Sequence, residues 1–111
     1  MLVQGQKLDP VVRLTLRKGE GDERFSFNPS VAELCRGVRS RGSLSAAAYD
    51  AQMSYSKAWN LIKGAERSLG VKLLISQGQG GSLLTPECEA ILEAYDKALG
   101  DLQDQADLLV G

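Results

Sequence analysis

The stretch from Gly42 to Gly70 constrains the fold most, because it alternates small, apolar and polar residues at helical spacing on both sides of a short break. Its first half places small or apolar side chains on one helical face, at Leu44, Ala47, Ala48 and Ala51. A face of small residues lets a second helix approach closely. The second half begins at Ser54, a good N-cap, and carries four residues inward: Ala58, Ile62, Ala65 and Leu69. The pattern predicts a helix-turn-helix.

The outer face of the second helix is polar and cationic, with Tyr55, Ser56, Lys57, Asn60 and Lys63. Such side chains allow a helix to enter the DNA major groove. We expect Ser54, Tyr55, Ser56, Lys57 and Asn60 at the groove, with Asn60 reading adenine through its carboxamide. Lys63 and Arg67 are expected at phosphates. The alternative is a solvated helix face without a ligand.

Two further features of this region have alternative readings. Trp59 is predicted to be a core residue that anchors the second helix, rather than a stacking surface for a ligand or a base. Ser43 and Ser45 begin the first helix, whose free amides can accept a phosphate, and simple capping is compatible with the same residues.

Composition excludes several other classes of protein. The 111 residues fit one domain, and no apolar run approaches the roughly 20 residues that span a bilayer, so a cytoplasmic protein is expected. Histidine is absent, and Cys35 and Cys88 lack metal-ligand spacing, so neither a metal nor another cofactor is predicted. No serine or carboxylate has a nucleophile-base arrangement, and an enzyme is not expected.

Charge is distributed unevenly although the net charge is only −1. Residues 30–85 hold seven basic and three acidic groups, whereas residues 86–111 hold one and seven. The predicted helix-turn-helix therefore lies in a positive region, and the acidic C-terminal segment must face away from phosphate. Three arginines, Arg36, Arg39 and Arg41, have two open roles: contact with the DNA backbone, or pairing with the acidic last helix.

The remaining segments follow from local patterns. Residues 1–10 are predicted to be a flexible N-terminus, and alternation over 11–28 predicts a β-hairpin. A helix over 30–41 follows, with Ser30 and Glu33 as a capping box. Beyond the helix-turn-helix of 43–69, a glycine-rich hairpin over 72–85 forms a wing. Because the wing has no basic residue between Leu73 and Glu87, its DNA contacts are expected from backbone amides, Gln77, Gln79 or Ser82.

The last helix, over 86–109, carries a second pattern. Apolar residues recur at alternating steps of four and three, at Cys88, Leu92, Tyr95, Leu99, Leu102, Ala106 and Leu109. We call this last helix α4 and this row of residues the α4 stripe. Such spacing is typical of a helix that packs along another helix. It predicts a homodimer with an interface formed by Leu92, Tyr95, Leu99, Leu102, Ala106 and Leu109.

The order of these motifs resembles the winged helix-turn-helix of LysR-type regulators and, more closely, that of ModE-type molybdenum-dependent regulators. The shared LysR-type pattern covers Gly42–Ser45, Leu69–Leu74 and Leu84–Pro86, and Ser54–Trp59 is similar to the start of the ModE-type recognition helix. The sequence departs from these families at Gln52 and Cys88, where glycine is usual. Gln52 would then adopt positive φ in the turn. The chain carries neither family's sensory domain, so the resemblance implies DNA binding and does not by itself imply oxyanion sensing.

Together these observations predict a mostly α fold with small β elements, a winged helix-turn-helix with an N-terminal β-hairpin and a long C-terminal dimerisation helix. The leading hypothesis is a dimeric, sequence-specific transcriptional regulator of bacterial type that binds double-stranded DNA. The alternative is a protein-interaction module on the same scaffold. The sequence places no effector site.

Overall fold

Four α-helices and two short antiparallel hairpins make up the computed structural model, which describes residues 1–111. The first hairpin pairs β1 with β2, and the second pairs β3 with β4. A short 3-10 helix, Glu23–Phe25, precedes the first α-helix. In chain order the elements are β1 (Leu2–Val3), β2 (Gln6–Lys7), α1 (Pro29–Arg41), α2 (Leu44–Asp50), α3 (Tyr55–Leu69), β3 (Leu74–Ser76), β4 (Ser82–Leu84) and α4 (Pro86–Val110).

Side-chain caps set the helix boundaries. Ser43, Ser54 and Thr85 each accept a hydrogen bond from the amide three residues ahead, at 3.0 to 3.1 Å. The predicted capping box of α1 is wrong. Its N-cap is Asn28, which accepts a hydrogen bond from the Val31 amide at 2.9 Å, because Pro29 has the backbone angle that suits the first helical position and lacks an amide that would need a partner.

The core lies between α1 and the helices around it. Sixteen buried apolar residues from α1 to α4 form one cluster. Gly37 lets α1 and α2 approach closely, because a methyl group there would lie 2.7 Å from the Ala47 Cβ. Cys35 and Cys88 are fully buried free thiols with their Sγ atoms 3.5 Å apart, joining α1 to the start of α4. Their hydrogen bond and their burial raise the pKa of Cys35.

The predicted hairpin over residues 11–28 is reduced to one bridge between Leu16 and Phe27, with both hydrogen bonds at 2.9 Å. The second predicted strand is interrupted because Asp22 caps the 3-10 helix and the Phe25 ring packs where Gly64 of α3 has no side chain. Residues 1–10, predicted as a flexible terminus, contain the β1–β2 hairpin.

Residues 10–14 lie along α4 instead of pairing with a strand. The Gln103 side chain donates to the Pro10 carbonyl at 2.8 Å and accepts from the Val12 amide at 3.0 Å. The Tyr95 hydroxyl donates to the Leu14 carbonyl at 2.7 Å. Side chains of α4 thus satisfy backbone groups that the predicted hairpin would have paired.

Helix α4 gives the molecule its length. Its first half enters the core through Cys88, Leu92 and Tyr95, while the second half carries exposed apolar residues. The overall dimensions are 54 × 30 × 21 Å. None of the helices combines the length and the apolar character that crossing a membrane requires.

Candidate nucleic-acid interface

The predicted reading face of α3 is on the surface. Tyr55, Ser56, Lys57 and Asn60 are all exposed. Ser54 is exposed too, but its hydroxyl accepts the Lys57 amide hydrogen bond and caps the helix. The first turns of α3 therefore offer a phenol, a hydroxyl, an ammonium and a carboxamide to a ligand.

Lys63 differs from the free phosphate contact that was predicted. Its side chain is about two-thirds buried, and its Nζ lies 3.1 Å from Glu66 Oε1. The same ammonium lies 5.6 Å from the centroid of the Trp59 ring, within cation-π distance. The Lys63 ammonium therefore contacts both Glu66 and Trp59 within the chain. Arg67, one turn further on, is exposed and forms no ion pair.

Glu66 links the recognition helix to the wing, and sequence reasoning did not single it out. Its Oε2 accepts hydrogen bonds from the Leu73 amide at 2.8 Å and the Leu74 amide at 3.4 Å. Burial acts to raise the pKa of this carboxyl, but the hydrogen bonds from Leu73, Lys63 and Leu74 outweigh it and lower the pKa. A buried, ionised carboxylate thereby holds the first wing strand at the end of α3.

The prediction that Trp59 is a core residue is wrong, because 44% of its surface is exposed. The inward face of α3 is occupied by smaller residues, with Ala58, Ile62 and Ala65 buried. Trp59 lies beside that face, at the rim of a cleft of about 210 Å³ between α3 and the wing. The neighbours along the chain did not reveal this, since the residue lies at the border between the two faces of the helix.

The turn between α2 and α3 is formed by a non-glycine residue in the left-handed region. Gln52 has φ of 59°, which matches the positive φ expected from its place in the sequence. Ser43 caps α2, and Ser45 is exposed in its first turn. These two serines therefore lie on the helix that precedes the recognition helix, with only Ser43 engaged in a cap.

The wing is a three-residue ladder in which Leu74 pairs with Leu84 and Ser76 with Ser82. The Ser82 amide donates to the Gly42 carbonyl at 2.8 Å, which fixes the wing to the end of α1. Gln77 and Gln79 are exposed at its tip.

Cationic groups outside the predicted set also reach this surface. Lys72 is exposed just after α3 and lines, with Lys63 and Arg67, an open cleft of about 370 Å³. The sequence could have indicated this role of Lys72, because a basic residue that closely follows the C-cap Gly70 must lie near the end of α3.

The arginines of α1 have partners within the chain. Arg36 forms a bidentate pair with Asp96 of α4, with a closest approach of 2.6 Å, and this hydrogen bond raises its pKa. Arg39 lies 3.7 Å from Glu89 of α4, and Arg41 lies 3.0 Å from Asp50 at the end of α2. Arg36 and Arg39 therefore pair with the acidic last helix, which was one of the two roles considered for these arginines; Arg41 pairs with α2 instead.

The α4 stripe is divided between the core and the surface. Leu92 and Tyr95, predicted at a dimer interface, are fully buried within the chain's own core, because α1 and Phe27 cover them; the Phe27 and Tyr95 rings meet edge to face at 5.3 Å. Leu99 is half-buried against the same core. Leu102 and Leu109 remain 46% and 79% exposed, with Ala106 half-buried between them.

These elements define the class of the protein as a winged helix-turn-helix domain, with a tight turn, an exposed polar second helix and a β-hairpin wing. The chain matches the model of the bacterial regulatory helix-turn-helix proteins of the LysR family over residues 32–89, more than half its length, and it belongs to that family. The family and fold are those of a regulator domain rather than an enzyme.

A solved structure agrees with this assignment. The crystal structure of the CbnR DNA-binding domain in complex with DNA matches with a TM-score of 0.59 and 26% identity, covering 69% of this chain and 87% of that one. No curated protein matches the sequence. The predicted fold class and LysR-type resemblance are thereby confirmed.

Proposed function

We propose that this protein is a sequence-specific DNA-binding transcriptional regulator that places α3 in the major groove. The carrying observation is the exposed face of α3, where Ser56, Lys57 and Asn60 are free for a ligand on a helix held by its buried opposite face. The similarity to a domain solved in complex with DNA supports the same function. Asn60 is the proposed base reader, because its carboxamide matches the two groove atoms of adenine.

Phosphate contacts are proposed for the cations that form no ion pair within the chain. Lys57, Arg67 and Lys72 are exposed along α3 and its end. Ser43 and Ser45 at the start of α2 and the glutamines Gln77 and Gln79 of the wing complete the proposed contact surface. Backbone amides and neutral side chains fix a protein on the phosphate backbone as cations do, but contribute less to salt dependence.

We also propose a homodimer formed through the second half of the α4 stripe. Leu102, Ala106 and Leu109 continue the spacing of the buried residues Leu92 and Tyr95 onto the surface. A row of exposed leucines at this spacing is buried when a second copy of the helix packs against it. Two recognition helices would then reach successive major grooves of a symmetric site.

Within the LysR family we propose a ModE-like regulator. Support comes from the sequence Ser54–Trp59 at the start of α3. A single Leu16–Phe27 bridge stands where the N-terminal hairpin over 11–28 was expected, so this proposal depends on the start of α3.

A second candidate function is a protein-interaction module. It is favoured by Tyr55 and Trp59, because exposed aromatic side chains are typical anchors of protein interfaces. The polar residues Ser56, Lys57 and Asn60 between and beside them favour DNA.

Selection from a random duplex library at two salt concentrations tests the proposal. We expect an enriched motif with two symmetric half-sites, bound more weakly at the higher salt concentration. Failure to enrich any sequence at either concentration would overturn sequence-specific binding, and a protein partner that protects α3 from labelling would then support the interaction module.

A further inference from the structure

Trp59 has the position of a residue that contacts the ligand of α3. It follows Tyr55 by one helical turn and stands next to Asn60, so its ring lies between two proposed groove-facing side chains. Trp59 lines two of the clefts on this surface, the one toward the wing and a smaller one of about 180 Å³ with Tyr55, Ser56 and Asn60. A large apolar ring is thus exposed at the edge of a polar reading face.

The ring is held in place by a chain of contacts that begins in the wing. The Leu73 amide binds Glu66, the Glu66 carboxylate binds Lys63, and the Lys63 ammonium lies 5.6 Å from the indole centroid. These contacts favour one orientation of the indole before any ligand binds. An orientation set in advance reduces the entropy lost on binding.

We propose that Trp59 is a specificity-determining residue that recognises thymine through its 5-methyl group. This inference rests on the proposed function, because it requires α3 to enter the major groove. Among the base edges in that groove, the thymine methyl is the apolar feature, and apolar side chains recognise it by contact. The exposed indole lies beside Asn60, so α3 carries a reader for the adenine edge and one for the thymine edge on the same face.

The test uses the full chain and the duplex that it selects. Each thymine that is invariant in the selected motif is replaced in turn by uracil, which lacks only the methyl group. We expect one or two positions in each half-site where uracil lowers wild-type affinity about fourfold, the value of one buried methyl-sized group. Trp59→Ala should bind the parent duplex more weakly and should show no further loss with uracil at those positions.

Tyr49→Ala is the matched control, because Tyr49 is an exposed aromatic residue on α2 rather than α3, and this variant should keep the full uracil effect. Trp59→Phe is the second variant, for use if Trp59→Ala does not fold. It should show a reduced but measurable uracil effect. The inference is overturned if Trp59→Ala or Trp59→Phe retains the wild-type uracil effect, or if the motif has no thymine sensitive to methyl removal. In either case an enriched motif would still support sequence-specific DNA binding. The absence of any motif would instead refute the proposed function itself.

Discussion

Lys57 is an exposed cation whose ammonium forms no ion pair within the chain, unlike Lys63. If it binds a phosphate, it releases about one counterion when DNA binds. We predict that Lys57→Ala lowers affinity for all duplexes to a similar extent and reduces the slope of log affinity against log salt concentration by about one unit. Titrations at four salt concentrations measure this slope.

Lys97→Ala is the control for this prediction. Lys97 is equally a surface lysine, but it lies on α4 and pairs with Asp101 at 3.0 Å. Its removal should leave the salt slope unchanged. An unaltered slope for Lys57→Ala would place Lys57 away from the DNA backbone.

Glu66 makes stability depend on pH in a defined direction. Its folded-state pKa is below its ordinary value of 4.5, so its ionised form stabilises the fold above that pH, and the contribution is lost as pH falls through the folded-state pKa. Glu66→Gln should lower the free energy of unfolding at pH 7 by about 1–3 kcal/mol, because hydrogen bonds to a charged group are replaced by weaker ones.

The difference between Glu66→Gln and wild type should shrink as the pH falls from 4.5 through the lower folded-state pKa, where the carboxyl of the folded protein becomes protonated. Denaturant unfolding at pH 7 and pH 3 measures it. Glu93→Gln, at an exposed position of α4 without an ion pair, should behave as wild type at both values. A Glu66→Gln deficit of the same size at both pH values would show that the charge does not contribute.

At the scale of elements, the sequence predicted the helix ends correctly where a single capping residue determines them. Ser43, Ser54 and Thr85 each cap a helix, and Gly42 and Gly70 end α1 and α3 in the left-handed conformation, with φ of 80° and 75°. These caps depend on neighbours within four residues, which is why periodicity and residue type predicted them.

Two of the predictions that failed, the hairpin over 11–28 and the buried Trp59, depended on distant partners. The hairpin over 11–28 needed its backbone groups paired across strands, but Gln103 and Tyr95, more than 80 residues further on, satisfy them. Trp59 faces a wing whose position is set by the Glu66 carboxylate. Neither contact leaves a periodic signal in the sequence.

The proposed dimer interface lies in the second half of helix α4. We predict that Leu102→Asn raises the dimer dissociation constant at least tenfold, because a polar amide would replace an apolar side chain at the helix contact. Analytical ultracentrifugation over a concentration series measures it. Leu108→Asn is the matched control, since Leu108 is 81% exposed but lies outside the α4 stripe. Equal weakening by both variants, or a monomeric wild type, would contradict this interface.

At the scale of the whole molecule, the distribution of charge along the chain agrees with an orientation in which α3 faces DNA and α4 faces away from it. The segment with seven basic and three acidic groups contains α2, α3 and the wing, and the strongly acidic segment is α4. Part of that acidity is neutralised by Arg36 and Arg39 of α1, a helix that belongs to the basic segment itself and packs against α4. We therefore expect α3 to approach DNA with the remaining carboxylates of α4 turned away from phosphate.

A dimer joined through α4 fixes the distance between its two recognition helices, and the operator must match that distance. Half-sites bound by two-fold symmetric helix-turn-helix proteins are separated by whole turns of about 10 base pairs. We predict that inserting five base pairs between the selected half-sites lowers wild-type affinity to that of a single half-site, because the second groove then faces the opposite side of the duplex. The Leu102→Asn variant should bind both duplexes with the same single half-site affinity. Wild-type binding that is insensitive to the insertion would show that the two domains are not held in a fixed arrangement.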